Sequence, residues 1–238
     1  MEIIRTQLVP TWREENHYYS ELHRIPLKIN NYNHMKLNKL TPELASGIID
    51  AGYDTNPKEI QSSCIPKIKS GADLFVIAPK DSGKSTAIVI GIIQQLKKAF
   101  EEAPRAVVIT ETKEKAFEME ELFKLLGKHT NLRTFTVFDK GQIQYQKNMI
   151  YEGLDILIGT PKRIQELLST TGIPTTNLRI LAVDDAETLF PANNHTVVYR
   201  FADRTKKLQF LIFANRWHEK FDDLSERIMK NPFIIDID

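Results

Sequence analysis

The sequence predicts an α/β fold in which helices cover both faces of a doubly wound, mainly parallel sheet. Three observations support this fold: short apolar runs recur along the chain, amphipathic segments separate most of them, and polar motifs directly follow several of the runs. Short, fully apolar strands that alternate with helices are typical of a parallel sheet that is buried on both faces. In such sheets ligands bind beyond the carboxyl ends of the strands, which is where these motifs lie.

Local patterns predict the elements in order along the chain. Thr41 resembles a helix N-cap with Pro42 at the first helical position, and this first helix should end near Gly52. Further helices are predicted over 58–69, 86–100, 113–126, 161–168 and 220–230. Strands are predicted over 74–78, 106–110, 134–138, 155–158, 180–183, 210–213 and 233–237. Residues 35–238 are therefore expected to form one domain, preceded by a short N-terminal extension over residues 1–34.

Composition excludes several classes of site. The net charge is +1 and the sequence pI about 7.8, so any nucleic-acid contact must come from locally placed donors. The single cysteine, Cys64, excludes an internal disulfide and a cysteine-based zinc site, and it is predicted to be a small buried hydrophobe. The six histidines lack metal-ligand spacing. Because we find neither a membrane-length apolar run nor a signal-peptide pattern, we expect no membrane partner and a cytoplasmic location.

A phosphate-binding loop is the strongest functional signal. It lies between an apolar run and an apolar-periodic segment, and it comprises Ala78, Pro79, Lys80, Asp81, Ser82, Gly83, Lys84, Ser85 and Thr86. Backbone N–H groups and the helix N-terminus can cradle a polyphosphate, Lys84 can reach the β- and γ-phosphates, and the Ser85 hydroxyl can ligate Mg²⁺. Ala78 replaces the first glycine of the generic pattern, and Asp81 places a carboxylate inside the loop. The alternative is an ordinary turn with a surface lysine.

Two adjacent carboxylates, Asp184 and Asp185, follow the apolar run at 180–183. Asp184 could hold Mg²⁺ opposite Ser85, and Asp185 could orient the attacking water. Acidic residues at strand ends are also common turn formers, so the interpretation as a site depends on Lys84. By themselves, Lys113 and Lys115 are equally consistent with solvated charges on a helix.

In their order and spacing, these motifs resemble the first RecA-like domain of a DEAD-box RNA helicase, which is a P-loop NTPase domain. The resemblance covers residues 35–238, and five segments carry it: 52–61, the nucleotide loop 78–85, Thr112-Lys113-Glu114, Gly159-Thr160-Pro161-Lys162-Arg163, and the acidic motif Val183-Asp184-Asp185-Ala186-Glu187. It implies ATP and Mg²⁺ as ligands, with Gln61 contacting adenine, Lys84 and Asp185 as catalytic groups, and Ser85 and Asp184 at the metal. It also implies contacts to the RNA backbone from Thr112, Lys113, Thr160, Pro161 and Arg163.

The departures from the family pattern lie in the same motifs. Asp185 stands where the family has glutamate, and the shorter side chain should weaken hydrolysis. Ala214-Asn215-Arg216 aligns with the serine-alanine-threonine motif, and Asp139-Lys140 with a glycine pair. Met35 aligns with the aromatic residue that stacks on adenine, and Tyr32 could substitute for that ring.

Helicases of this family need a second RecA-like domain that supplies arginine fingers, and this sequence ends at Asp238, where the first domain ends. We therefore expect an ATP- and RNA-binding domain with at most weak stand-alone ATPase activity and no unwinding by itself; a partner protein could supply the second domain. The alternative is a non-catalytic interaction module that has lost ATP cycling and binds RNA or a partner protein passively. An independent P-loop ATPase or kinase is a third reading, with no sequence signal for a lid or an acceptor site.

Overall fold

The computed structural model describes residues 35–191 and 193–237. Within them lie seven strands: β1 Leu74–Ile77, β2 Ala106–Ile109, β3 Thr134–Val137, β4 Ile156–Gly159, β5 Ile180–Val183, β6 Gln209–Ala214 and β7 Phe233–Asp236. The α-helices are α1 Pro42–Asp50, α2 Glu59–Lys69, α3 Lys84–Leu96, α4 Lys113–Leu126, α5 Ile143–Tyr151, α6 Pro161–Ser169, α7 Thr196–Arg204 and α8 Phe221–Ile228. Short 3-10 turns cover Leu37–Lys39 and Ala186–Leu189. The N-terminal extension, with Tyr32, lies outside the described residues.

All seven strands are parallel, in the order β3-β4-β2-β5-β6-β1-β7. This arrangement confirms the predicted α/β class and each of the predicted strands. Because β5, β6 and β1 are adjacent parallel strands, the segments that follow them meet at one edge of the sheet. The segments that follow β2, β3 and β4 meet at the adjoining part of that edge.

The strands are buried because helices pack on both faces of the sheet. Successive residues of a strand point to opposite faces, so Leu74 and Val76 belong to one apolar cluster and Phe75 to the other. The first cluster includes residues of α1 to α4, and the second includes residues of α5 to α8. The free thiol of Cys64 lies in the first cluster, as predicted.

Close packing of α2 against α3 fixes the helix that follows the phosphate loop. Most of α3 is buried, and Gly91 on it faces Ile68 of α2. A Cβ at position 91 would lie 2.6 Å from Ile68 Cδ1, so only glycine permits this approach. The N-terminus of α3 is therefore held rigidly at the end of β1.

Some boundaries differ from the predictions. Helix α3 begins at Lys84 rather than residue 86 and ends at Leu96 rather than residue 100. Helices α5 and α7 were not predicted. The buried face of α5 holds only Ile150 and the polar Gln146, whereas α7 has a clear apolar face of Val197, Val198 and Phe201 that spans only nine residues. Within the described residues no helix is both long enough and apolar enough to cross a membrane.

Candidate functional site

The phosphate loop connects β1 to α3 through backbone conformations that favour glycine. Gly83 has a φ of 97° and Asp81 a φ of 63°. A Cβ at position 83 would lie 3.0 Å from the Gln61 side-chain nitrogen and 3.1 Å from Lys58 Cδ, so α2 closes tightly against the loop there. The predicted loop and the predicted adenine-contacting residue are therefore brought together.

Lys84 stands at the centre of this loop with its side chain buried. Its ammonium donates to the carbonyl oxygens of Ala78 at 3.0 Å and Pro79 at 2.8 Å, and to Asn215 Oδ1 at 2.7 Å. Burial lowers the pKa of Lys84, and the negative charges of nearby carboxylates, Asp185 foremost, oppose that shift. Lys84 is thus a buried cation, and its hydrogen bonds to Ala78 and Pro79 hold the ammonium against the backbone of its own loop.

Asp81 is exposed, so its carboxylate does not fill the cradle of the loop. The backbone carbonyl of Asp81 accepts a hydrogen bond from the Lys58 ammonium, which ties the loop to the residue before α2. Its neighbour in the loop, Lys80, is exposed too. The Asp81 carboxylate therefore affects Lys84 through its charge and does not occupy the space inside the loop.

Ser85 and Asp184 meet across the site, as the sequence predicts for a pair that shares a metal. The Ser85 hydroxyl donates to Asp184 Oδ2 at 2.6 Å. Burial raises the pKa of Asp184 and the adjacent Asp185 charge raises it further, while the Ser85 hydrogen bond opposes both effects. Asp184 Oδ1 is buried and has no hydrogen-bond partner in the structure.

Asp185 is held by donors on both of its carboxylate oxygens. Asn215 Nδ2 donates to Oδ1 at 2.6 Å, and the Lys115 ammonium forms an ion pair with Oδ2. The backbone at Asp185 is left-handed, with a φ of 53°, and turns the chain into the 3-10 segment Ala186–Leu189. The residue predicted to orient water is therefore already engaged on both oxygens.

Sequence reasoning missed three members of this network. Asn215, which it noted only as a departure, joins Lys84 to Asp185 and also donates to Glu187 Oε1 at 2.7 Å. Glu187 in turn accepts from the Asn215 backbone N–H at 3.1 Å. Lys115, predicted to be no more than a possible solvated charge, reaches Asp185. The only sequence signal for this network was Asn215 itself, in the segment that aligns with the serine-alanine-threonine motif.

The site fits a magnesium nucleotide by its unpaired polar atoms. The Ser82 hydroxyl oxygen and Asp184 Oδ1 are both buried without hydrogen-bond partners, as expected of atoms that face an absent phosphate or metal. Among the described residues there is no cluster of three or more His, Cys, Asp or Glu that could hold a metal alone. Mg²⁺ needs no such cluster, because it commonly combines one or two protein oxygens with water and substrate phosphates.

Gln61, the predicted adenine contact, is buried near the loop. Its Oε1 accepts the backbone N–H of Lys58 at 3.0 Å and so closes the first turn of α2. Met35 is half-buried against the first apolar cluster, and its backbone N–H donates to Asp54 at 3.3 Å. Gln61 thus has a structural role in the chain as it stands, and its Nε2 points towards the phosphate loop.

The residues predicted to contact RNA lie where β2 and β4 end. Thr112 caps α4, its hydroxyl oxygen accepting the Lys115 backbone N–H at 3.3 Å. Thr160 occupies the N-cap position of α6 ahead of Pro161, but its hydroxyl does not cap the helix and donates instead to Asp139 Oδ1 at 3.4 Å. Both threonines therefore start helices whose N-termini point at the same edge of the sheet, a favourable arrangement for phosphate.

Arg163 is buried, and its Nη1 is the one guanidinium nitrogen that has neither a hydrogen bond nor an ion pair. Its Nη2 donates to the Gly141 carbonyl at 3.1 Å, and its Nε lies 3.3 Å from a Glu166 carboxylate oxygen. Its Nη1 is buried and has no hydrogen-bond partner. An orphaned guanidinium nitrogen beside two helix N-termini is suited to an anion.

Lys113 is exposed and lies over aromatic rings. Its ammonium is 4.4 Å from the centroid of Phe138 and 5.8 Å from that of Phe117. These contacts hold the cation beside the segment after β3 that carries Asp139, the hydrogen-bond partner of Thr160. The predicted RNA-contacting residues lie at the ends of β2 and β4 in a surface where Lys113 is exposed and Thr112 half-buried, while Thr160, Pro161 and Arg163 are buried.

Comparison with known proteins agrees with this geometry. The DEAD/DEAH box helicase family model matches residues 58–223. The fold resembles the crystal structure of a DEAD box protein from the hyperthermophile Methanococcus jannaschii, with a TM-score of 0.80 and 20% sequence identity over 87% of this chain and 56% of that one.

Curated relatives have similar sequences. The pre-mRNA-processing ATP-dependent RNA helicase PRP5 of Candida albicans is 27% identical over 89% of this chain and 24% of its own length. The probable ATP-dependent RNA helicase ddx52 of Dictyostelium discoideum is 29% identical, over 83% and 30%. The DEAD-box ATP-dependent RNA helicase RhpA of Helicobacter pylori is 28% identical, over 83% and 40%. The chain spans less than half the length of these relatives, and because the family model covers most of it, the chain belongs to the DEAD/DEAH box helicase family.

Proposed function

We propose that this chain is an ATP- and RNA-binding DEAD-box helicase domain with at most weak stand-alone ATPase activity and no unwinding by itself. One observation carries the nucleotide part. Ser82 and Asp184 present unpaired buried oxygens in the same site as the buried Lys84. Unsatisfied buried polar atoms cost free energy, so a group that pairs with them binds favourably.

In this proposal the residues of the loop hold the polyphosphate. Residues 78–86 provide backbone N–H groups, and the N-terminus of α3 adds its partial positive charge. Lys84 exchanges protein carbonyls for phosphate oxygens, and Ser85 with Asp184 holds Mg²⁺. A bound Mg²⁺ supplies neutralisation of phosphate charge. Gln61 contacts the adenine.

Weak hydrolysis follows from the state of Asp185. A general base or water-orienting group needs an oxygen free to accept a hydrogen bond from water. Asn215 and Lys115 already occupy the two carboxylate oxygens of Asp185.

The RNA part rests on the surface formed by Thr112, Lys113, Thr160, Pro161 and Arg163. Two helix N-termini, one exposed cation and one unpaired guanidinium nitrogen suit backbone phosphates, which carry no sequence information. A protein partner that supplies a second RecA-like domain, and a cytoplasmic location, belong to the same proposal.

Titration with a fluorescent adenine nucleotide and Mg²⁺ tests the nucleotide site. We expect saturable binding that Lys84→Ala weakens by at least about tenfold, because the main phosphate-facing cation is lost. Lys124→Met is the matched control, since it removes an exposed lysine from α4 far along the helix from the site. No binding at millimolar nucleotide, or equal binding by Lys84→Ala, would refute the proposal.

The second candidate is a non-catalytic module that binds RNA or a partner protein passively. The engaged oxygens of Asp185 and the replacement of hydroxyl-bearing residues by Ala214 and Arg216 favour it. Phosphate release by the purified chain separates the two candidates. Release that RNA stimulates contradicts the passive module, whereas nucleotide-independent RNA binding with no release supports it.

A further inference from the structure

Lys115 crosses from one part of the site to the other. It lies in the first turn of α4, the helix that follows β2 and begins at Thr112, yet its ammonium pairs with Asp185, which follows β5. A second carboxylate, on Glu111, is 3.4 Å away. The Lys115 side chain is 36% exposed and the Asp185 side chain 11%, so the pair is partly shielded from water.

The ion pair favours the charged form of Lys115. Burial by itself lowers the pKa of Lys115, but Asp185, with a smaller contribution from Glu111, outweighs burial and leaves the pKa raised. Lys115 therefore keeps its positive charge in spite of its partial burial. Its charge also reaches Asp184, whose pKa it lowers against the larger effect of burial.

The charges around the phosphate loop are mostly negative. Four carboxylates, those of Asp185, Asp184, Glu187 and Asp81, act electrostatically on Lys84. Lys58 and Lys80 also lie at the loop but are exposed, so Lys84 is the buried ammonium that faces these carboxylates. Such a site is a poor environment for a polyphosphate, because like charges in a partly buried site repel strongly. Lys115 is a second ammonium that the structure places directly on one of these carboxylates.

The position of Asp185 identifies which part of the nucleotide would experience its charge. A single bridge, Asn215, connects Lys84 to Asp185, with hydrogen bonds of 2.7 Å and 2.6 Å. In the proposed function Lys84 holds the β- and γ-phosphates, and Asp185 orients the water beyond them. The Asp185 carboxylate then faces the γ-phosphate end. A diphosphate would leave that end empty.

We propose that Lys115 is a specificity-determining residue of the nucleotide site: as the counter-ion of Asp185, it allows the site to accept a γ-phosphate. The inference rests on the proposed nucleotide binding and adds to it a preference for triphosphate over diphosphate. The same contact occupies Asp185 Oδ2, which is then not free to accept a hydrogen bond from the attacking water. One lysine therefore favours binding of the triphosphate and opposes its hydrolysis.

The test compares affinities for ADP and for a non-hydrolysable ATP analogue, each with Mg²⁺, on the whole chain. Lys115→Met should weaken the analogue about tenfold and ADP less than about twofold, because only the γ-phosphate meets the uncompensated Asp185 charge. Lys115→Arg keeps the charge and should bind both ligands like the parent chain. Lys124→Met, on the same helix and paired with Glu120 and Glu121, should also leave both affinities unchanged.

A double-mutant cycle distinguishes a counter-ion from a lysine that simply stabilises the fold. Asp185→Asn alone should raise the preference for the analogue over ADP by about threefold or more, and it carries the test even if Lys115→Met does not fold. In Lys115→Met/Asp185→Asn the affinity for the analogue should return to within about threefold of the parent, since the repelling charge is gone.

Three outcomes overturn the inference: equal losses of ADP and analogue affinity in Lys115→Met, no loss of either, or a double variant as weak as Lys115→Met. If the parent chain binds neither nucleotide, the proposed function fails and this inference fails with it. If the parent chain binds both and Lys115→Met behaves identically, only the inference fails.

Discussion

At the scale of one residue, burial makes the thiol of Cys64 unreactive. Its side chain is fully buried in the first apolar cluster, and burial raises the pKa of the thiol to about 12. Only the thiolate is a good nucleophile. Burial of Cys64 both blocks the approach of reagents and disfavours formation of the thiolate. The thiol therefore packs as a small apolar group.

This burial predicts that Cys64 reports unfolding. A thiol-specific chromogenic reagent at pH 8 should leave the native chain almost unmodified, because the reagent reaches Cys64 only when α2 opens. The modification rate, followed by absorbance, should rise with urea in parallel with loss of helical circular dichroism. Rapid and complete reaction of the native chain would contradict the burial of Cys64.

The sequence predicts individual site residues when their spacing along the chain defines their role. Lys84, Ser85 and Asp184 were found this way, and their side chains do converge. Lys115 and Asn215 were not assigned to the site, because their contacts depend on which strands are neighbours. β2 and β6 flank β5, and this adjacency brings both side chains to Asp185.

At the scale of elements, α1 and α4 approach each other closely at a single glycine. A Cβ at Gly47 would lie 2.1 Å from the carbonyl oxygen of Leu126, an atom of the α4 backbone that cannot rotate away. Since α4 carries both Lys113 and Lys115, this contact at its far end helps to fix the helix that joins the two parts of the site.

Gly47→Ala should therefore destabilise the fold although alanine favours helix. We expect a loss of about 1–3 kcal/mol in the free energy of unfolding, because the helices must move apart to admit the methyl group. Urea denaturation followed by circular dichroism measures it. Ser46→Ala, on the exposed side of the same helix, is the control and should be neutral or slightly stabilising; a stable Gly47→Ala would contradict the close approach.

A buried carboxylate joins three strands at the edge of the sheet opposite the site. Asp155, ahead of β4, accepts from Arg105 ahead of β2 at 2.6 Å and from Arg133 ahead of β3 at 3.0 Å. Burial alone raises the pKa of Asp155, but the hydrogen bonds from Arg133 and Arg105 outweigh it and leave the pKa below its ordinary value.

Two results follow for Asp155. Because its pKa is lower in the folded chain than in the unfolded one, the stabilisation is complete above about pH 4 and disappears as the pH falls through the lowered value. Asp155→Asn leaves Arg105 buried without its counter-charge and should cost about 3–5 kcal/mol of unfolding free energy at pH 7. Urea denaturation between pH 3 and 7 (roughly the span over which a carboxyl titrates) measures both. Asp50→Asn, at an exposed pair with Lys128, should change little, and an equal effect of the two substitutions would contradict this account.

The alternation of apolar runs and amphipathic segments was enough to predict every strand and most helices. It failed for α5, whose buried face holds only Gln146 and Ile150, and it also missed α7, although Val197, Val198 and Phe201 give that nine-residue helix a clear apolar face. The start of α3 was also placed late, since Lys84 and Ser85 read as loop residues although the helix begins with them.

At the scale of the whole molecule, the near-neutral charge limits how RNA can bind. A net charge of +1 provides no broad positive field, so attraction depends on the two cations of the surface, Lys113 and Arg163. Binding should therefore be weakly salt-dependent compared with that of a basic nucleic-acid-binding protein.

We expect the logarithm of RNA affinity to fall with the logarithm of salt concentration with a slope of about −1.4, since each neutralised phosphate of a single strand contributes about −0.7. Lys113→Met should reduce the slope to about −0.7, while Lys124→Met should not change it. Fluorescence anisotropy of a labelled single-stranded RNA at several salt concentrations gives the slope. A slope near zero would mean that neither cation meets a phosphate.

The strand order has a consequence for when the proposed nucleotide site can form. β1, which leads into the phosphate loop, pairs with no strand near it in sequence: Leu74 lies opposite Leu211 of β6 and Phe233 of β7. Contacts between segments so far apart in sequence form late, because the intervening chain must lose conformational entropy before the contacts can stabilise the fold. During synthesis the loop sequence therefore leaves the ribosome long before its supporting strands. A chain interrupted ahead of β6 would contain the whole phosphate-loop motif and still lack a nucleotide site.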